Sequence, residues 1–374
     1  IFVVEGTNGN DGGIESLINL MDAHGNVTFY NSSRSVTEGR QGVISRDDVV
    51  IIKVNCQWDE RGGTNTDLVR GLIRAIVEHP EGFTGEIVIA DNGQGQYGPE
   101  HEGGSLSYRK NNAEDTTQSL QVVADGFAGS ARVSTFLWDP ITTIRVEEYA
   151  AGDPRDGFVV DPVQKERSGL FVSYPKFQTK YGTRISIRDG IWDPATASYD
   201  TVHLKIINMP VLKAHAGYGV SAAVKNYMGL TSDKLTGDLG RRSHFAVRYG
   251  GMGTEMVETR FPALSIIDAI WVNAHPGEGP VTSYDRATRL NTIVAGQDPV
   301  ALDCWAAKHL LMPAAQANGY TDLSLIDPDK RGVGELGNWL SRSLTEIRRG
   351  GYPATMDEGE MRVFRITHPA PAGS

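Results

Sequence analysis

The stretch that most constrains the fold is residues 49–54, Val-Val-Ile-Ile-Lys-Val, a continuous and largely β-branched apolar run. Such a run suits a strand covered on both faces, as parallel sheets require. It does not stand alone. Glu86-Ile87-Val88-Ile89-Ala90 repeats the pattern, and a third apolar run extends from Ile206 to Leu212. Between the first two, Leu68, Val69, Leu72, Ile73, Ile76 and Val77 recur at helical spacing. Thr66-Asp67 offers a capping hydroxyl and a first-turn acid for that helix, and Pro80 stops it. Strand, helix and strand in this order predict a right-handed βαβ unit with a parallel pair. The expected class is α/β: an open, mostly parallel sheet with helices on both faces, plus an irregular insertion or cap.

The remaining chain fits around that unit. Residues 1–5 read as a strand and Ile14 to Ala23 as an amphipathic helix. Residues 1–92 form a first α/β segment and 93–200 the insertion or cap, where Gln94 to Asn112 is polar and glycine-rich. Alternation resumes over 201–311, and 312–374 is a C-terminal extension holding a helix from Trp339 to Arg349, a strand from Met361 to Ile366 and a loose tail over 367–374. Arg260 to Ile267 reads as a helix or apolar run leading to Asp268, and Leu290 to Ala295 as a strand. Lys234 to Gly253 is a loop rich in glycine and charge, containing Arg241, Arg242 and His244.

In open parallel sheets, ligands bind beyond the carboxyl ends of the strands. Four such ends carry polar groups: Lys53 and Asn55, Asp91 and Asn92, Lys213 and His215, and Asp268. After the third, Gly217 and Gly219 make a bend, and from Val220 a helix-type pattern carries Lys225 and Asn226 until Gly229. Two lysines beside a glycine bend and a helix N-terminus suit a carboxylate or phosphate. Lys53, Asn55, Asn92, Lys225 and Asn226 are therefore candidate substrate contacts, with His215, Asp91 and Lys213 as candidate catalytic groups. The plainer alternatives are that Asn55 and Asn92 tie down turns, that Asp91 caps a helix, and that His215 is a structural histidine. A divalent metal would draw on Asp91, His215 and Asp268, with His244 and His275 as further N/O ligands, although none shows a dedicated ligand spacing. Asp298 before Pro299 reads as a helix cap, and Asp303 faces the crevice, bonds a neighbouring loop or pairs with a buried lysine. Ser221 lacks the pattern of a nucleophile elbow, and the glycines follow neither nucleotide-binding spacing.

Taken in order, these landmarks resemble the family known as domain of unknown function 362. The segments that carry the likeness are IIKVN at 51–55, TNTDLVRGLI at 64–73, EIVIADN at 86–92, IINMPVLKAH at 206–215, AVKNYMGL at 223–230, SIIDAI at 265–270, GEGP at 277–280 and AGQDPVALD at 295–303. The resemblance implies no settled activity. Some relatives carry a ferredoxin-like segment of closely spaced cysteines; Cys56 and Cys304 are the two cysteines here, so no iron–sulfur cluster is expected and both read as buried free thiols. Many relatives are exported with twin-arginine signals, so the resemblance implies that Ile1 is a processed start, the alternative being a trimmed one, and that the protein is periplasmic or extracellular, with a cytoplasmic location as the alternative.

Composition narrows the partners. A net charge of −10 without a basic stripe argues against nucleic acid. No stretch approaches the roughly 18 consecutive apolar residues of a membrane helix. The leading expectation is an exported enzyme acting on a small anionic metabolite, with metal assistance as one version. Its rivals are a non-catalytic metal- or ligand-binding protein, and a structural or assembly protein whose insertion joins subunits into a homo-oligomer.

Overall fold

The computed structural model describes residues 1–32, 42–93, 106–240 and 242–368. Most of the expected Gln94–Asn112 loop, Arg241 and the tail from 369 onward lie outside these residues.

The organising element is a ten-stranded sheet. Its strands are Phe2–Glu5 (β1), Val49–Lys53 (β2), Glu86–Asp91 (β3), Val133–Leu137 (β4), Leu204–Asn208 (β5), Val211–His215 (β6), Gly219–Ser221 (β7), Leu264–Asn273 (β8), Thr288–Gly296 (β9) and Phe364–Thr367 (β10). The spatial order is β10-β1-β9-β8-β5-β2-β3-β4, with β6 beside β8 and β7 beside β6. β5, β2, β3 and β4 run parallel, and β8 is parallel to both β5 and β6. β9 runs antiparallel to both its neighbours, β8 and β1. The α/β class, with a mostly parallel sheet, is what the apolar runs require.

The continuous apolar runs are explained by two cores, one on each face. Val50, Ile52, Ile87, Ile89 and Ile207 pack among residues of the helices Gly13–His24, Thr66–Val77 and Leu120–Asp125. Val49, Ile51, Val88, Ala90 and Ile206 join the opposite core. That core includes residues of the helices Gly251–Glu258, Pro299–Ala306 and Leu336–Arg349. It also includes Phe158, Phe177 and Ile185 from a second, five-stranded antiparallel sheet. Alternate side chains along one strand thus enter different cores. Each fully buried isoleucine contributes about 1.5–3 kcal/mol relative to exposure.

Several local expectations change. The run Ile206–Leu212 is not one strand: it breaks at Met209-Pro210, so β5 pairs with the start of β8 and β6 with its later residues. Proline cannot donate to a ladder, which makes this the natural point to change partners. The helix expected from Val220 is instead the short strand β7 followed by a six-residue 3-10 turn, Lys225–Leu230. The helix Thr66–Val77 is capped by Asn65, whose side chain accepts from the Leu68 N–H, and not by Thr66. Arg260–Ile267 supplies no helix; its later part opens the strand β8, so Asp268 lies within a strand and not at its end. At the tail, His368 is held by Ser16 and by the Asp11 carbonyl, so looseness does not begin at 367.

Candidate functional site

Lys53 and Asn208 are opposite one another at the carboxyl ends of β2 and β5, and Asp91 closes β3 alongside them. Beyond these ends opens a cleft of about 430 Å³. Lys53, Asn55, Asp91, Asn92, Lys213, His215, Lys225 and Asn226 all line it, together with Trp58, Ser221, His244 and Gly279-Pro280. Eight of the nine residues selected from sequence therefore converge.

The ninth, Asp268, does not line the cleft. It is fully buried, and its carboxylate accepts from the Asn65 and Ile270 N–H groups and from Asn112 Nδ2. Those bonds join β8 to the start of the helix Thr66–Val77, a framework role. Asp91, His215 and Asp268 consequently do not meet at a point as metal ligands must. His275 is likewise occupied, with Nε2 on the Arg286 carbonyl at 2.8 Å and Nδ1 near the Tyr320 hydroxyl.

At the cleft floor, Lys53 Nζ lies 2.6 Å from Asp91 Oδ1, and both side chains are buried. The same ammonium donates to the Val54 carbonyl and to Asn226 Oδ1, while Asp91 Oδ2 accepts from the Cys56 N–H. A buried ion pair gains little net stability after desolvation, but separating it is costly. Gly229 fits tightly against this pair: a Cβ there would lie 2.1 Å from Asp91 Oδ1 and 2.5 Å from Lys53 Nζ. Asn226 ties the floor together by donating to Asn208 Oδ1 and to the Lys53 carbonyl. Asn92 donates to the Thr231 carbonyl, so it holds the exit of the 3-10 turn.

Lys213 and Lys225 form the cationic wall. Lys213 Nζ donates to Asn55 Oδ1 at 2.8 Å and to the Gly62 carbonyl at 2.6 Å, which leaves one of its three donors. Lys225 has no hydrogen-bond or ion-pair partner among the described residues; its ammonium stands 5.3 Å from the centre of the Tyr218 ring. Burial lowers both lysines, Lys213 well below its ordinary value with Lys225 adding repulsion, and Lys225 to about 8. His215 is pushed down to about 2, by burial first and then by the two ammonium groups. Its Nδ1 accepts from the Gly217 N–H, so the neutral ring carries its proton on Nε2. His244 is fixed by Asp233, 2.5 Å from its Nδ1.

The segment bearing Lys225 is positioned by Asp303. This fully buried carboxylate accepts from the Ala223 N–H at 2.6 Å and the Val224 N–H at 3.0 Å. Of the three readings open to Asp303, bonding a neighbouring loop is the one observed. The amides preceding the 3-10 turn are thereby used, so the free N–H groups expected beside the lysines are not available there. Asp298 caps its helix by accepting from the Val300 and Ala301 N–H groups, as its Asp-Pro context predicts. Cys56 and Cys304 are free and buried.

Asn208 and Gly229 went unselected from sequence. Asn208 carries the same signal as Asn55 and Asn92, a polar group where an apolar strand stops. Gly229 reads as a helix terminator, and its contact with Asp91 depends on chain segments far apart in sequence.

Residues 195–308 match the model of the family described as Domain of unknown function (DUF362). The resembling segments from 206 to 303 lie inside that span, whereas those at 51–92 precede it. A thylakoid-associated protein of Synechocystis sp. is 34% identical over 102 residues, covering 26% of this chain and 30% of that protein. The matched part of the chain thus spans under a third of the length of this curated relative. No solved structure matches the chain. Among the described residues, no helix is long and apolar enough to cross a membrane.

Proposed function

We propose a function for what is, through residues 195–308, a DUF362-like protein: it binds a small anion in the strand-end cleft and acts on it as an enzyme. The observation that carries this reading is the pair of buried lysines, Lys213 and Lys225, lining one cleft with no carboxylate within 4.0 Å of either among the described residues. Burying two ammonium groups together is unfavourable, and an anion between them offsets both their repulsion and their lost hydration. A volume of about 430 Å³ admits a metabolite-sized ligand.

In this reading Lys213 and Lys225 hold the anion, and Asn55 and Asn226 keep the wall in place. His215 acts as a neutral Nε2–H donor, because a ring depressed to about 2 is a poor base near neutrality. Lys225, at about 8, is the group poised to move a proton. Asp91 pairs with Lys53 and holds it aligned. Export to the periplasm or exterior belongs to the same proposal, and cell fractionation decides it.

Calorimetric titration with inorganic phosphate and with small mono- and dicarboxylates tests the binding step. Saturable 1:1 binding is expected, weakened at least tenfold by Lys213→Met and by Lys225→Met. Affinity equal to the parent's in both variants would sink the proposal, as would no binding of any of these anions. Turnover of a bound anion separates the enzyme from a binding protein.

A further inference from the structure

The opposite end of the sheet holds a second cluster. Asp47 and Asp48 immediately precede β2, and His203 immediately precedes β5. The two strands are paired with Leu204 beside Val49, and the Val49 N–H donates to the His203 carbonyl at 2.8 Å. Sequence positions more than 150 residues apart are thereby brought side by side. One ligand atom from each of Asp47, Asp48 and His203 lies within 4.8 Å of the others.

We infer that Asp47, Asp48 and His203 form a site for a divalent transition-metal ion, separate from the anion cleft. The five residues of β2 put it about 16 Å from the cleft end of the strand.

The observation that points to a ligand is Asp48. It is fully buried, Oδ2 accepts from the Ser45 N–H at 2.7 Å, and Oδ1 has no hydrogen-bond partner among the described residues. Buried carboxylate oxygens are ordinarily paired, since leaving one unpaired costs far more than a neutral group does. A dication at Oδ1 removes the penalty.

The other two groups suit the same ion. His203 Nδ1 is 2.6 Å from Asp200 Oδ2, which leaves Nε2 as the ligating nitrogen. A carboxylate on the far ring nitrogen is the usual way a metal-bound histidine is oriented. His203 Nε2 lies 3.8 Å from Asp47 Oδ2, close enough for both to share one ion. Asp47 and His203 face solvent, so water can complete the coordination. One imidazole with two carboxylates favours zinc, manganese, iron(II) or cobalt(II) over calcium and magnesium, which prefer all-oxygen sites.

The test uses the full chain, stripped of metal with a chelator and titrated with Co²⁺ by visible absorption and equilibrium dialysis. One equivalent is expected to bind. Asp48→Asn, which keeps the shape, and His203→Gln should each weaken binding at least tenfold, and Asp200→Asn about tenfold through loss of ring orientation. Lys213→Met should bind Co²⁺ as the parent does, which separates this site from the cleft. Circular dichroism establishes that each variant folds; should Asp48→Asn not fold, His203→Gln at the solvent-facing ligand decides. Absence of a saturable 1:1 site would overturn the inference and leave a protonated His203 bridging Asp47 and Asp200. Unchanged affinity in His203→Gln would overturn it equally.

Discussion

Replacing Gly229 by alanine discriminates sharply between local and tertiary reasoning. Glycine inside a helical turn is normally a liability, and the change to alanine gains about 0.5–1 kcal/mol where the backbone permits it. Here the new Cβ meets Asp91 Oδ1 at 2.1 Å and Lys53 Nζ at 2.5 Å, at the centre of a buried ion pair. Ordinary contact requires roughly an ångström more, and neither partner moves freely. Asp91 is tied to the Cys56 N–H, and Lys53 to the Val54 carbonyl and Asn226. Overpacking alone costs about 1–3 kcal/mol, and about 3–5 kcal/mol is lost if the pair separates. Gly229→Ala should therefore lower stability by about 2–4 kcal/mol after the local gain is subtracted. Urea denaturation followed by tryptophan fluorescence reads this as a lower midpoint with an unchanged slope. In an Asp91→Ala background the clash with Oδ1 is gone, so the added cost of Gly229→Ala should shrink and give a measurable coupling. A Gly229→Ala protein as stable as the parent, or a coupling of zero, would refute the reasoning.

Further expectations concern the groups around the cleft. Anion affinity should fall as pH rises through about 8, because Lys225 loses its charge there and its lowered value makes that loss accessible; phosphate titrations between pH 7 and 9 check this, and Lys225→Met should flatten the profile. Asp303→Ala leaves the buried Ala223 and Val224 N–H groups without their acceptor, at a cost of about 2–4 kcal/mol for the two, measured by urea unfolding and accompanied by weaker phosphate binding. Asp298→Ala removes a helix cap and the acceptor of the Thr355 N–H, so thermal melting should show a loss of about 1–2 kcal/mol while anion affinity stays unchanged. Asp303 itself imposes a pH dependence on stability. Burial raises its folded value to about 7 from an ordinary 3.8, so the folded state binds the extra proton between these values. Its contribution is fully present below about 4 and lost as pH rises through 7, and the parent should show this component where Asp303→Ala does not.

Much of the site was legible because strand ends are. An apolar run that stops at a polar residue marks where a parallel sheet opens to a crevice, and Lys53, Asp91, Asn55 and Asn92 all follow from that rule. Lys213 was found by the same sign, although its strand is not the one expected: Pro210 splits the run, and β6 continues beside β8 where β5 leaves off. Asp268 failed because a helix-or-strand ambiguity over Arg260–Ile267 hid a ten-residue strand that carries the residue into the interior. The helix dipole assigned to Lys225 failed for a related reason. Asp303, some eighty positions later, takes the very amides that an anion would have used.

Local chemistry determined the α/β class, the strand-end location of polar groups and the cap at Asp298, since each rests on contacts within a few residues. Tertiary structure alone decided which charges are partnered. The pairing of Lys53 with Asp91, the lack of a carboxylate within 4.0 Å of Lys213 or Lys225 among the described residues, the seat of Gly229 and the meeting of Asp47 and Asp48 with His203 are set by strand order. Strand order is a long-range choice that no local pattern records. The electrostatic character of a buried group depends on what packing places within a few ångströms of it, and on how much water packing removes.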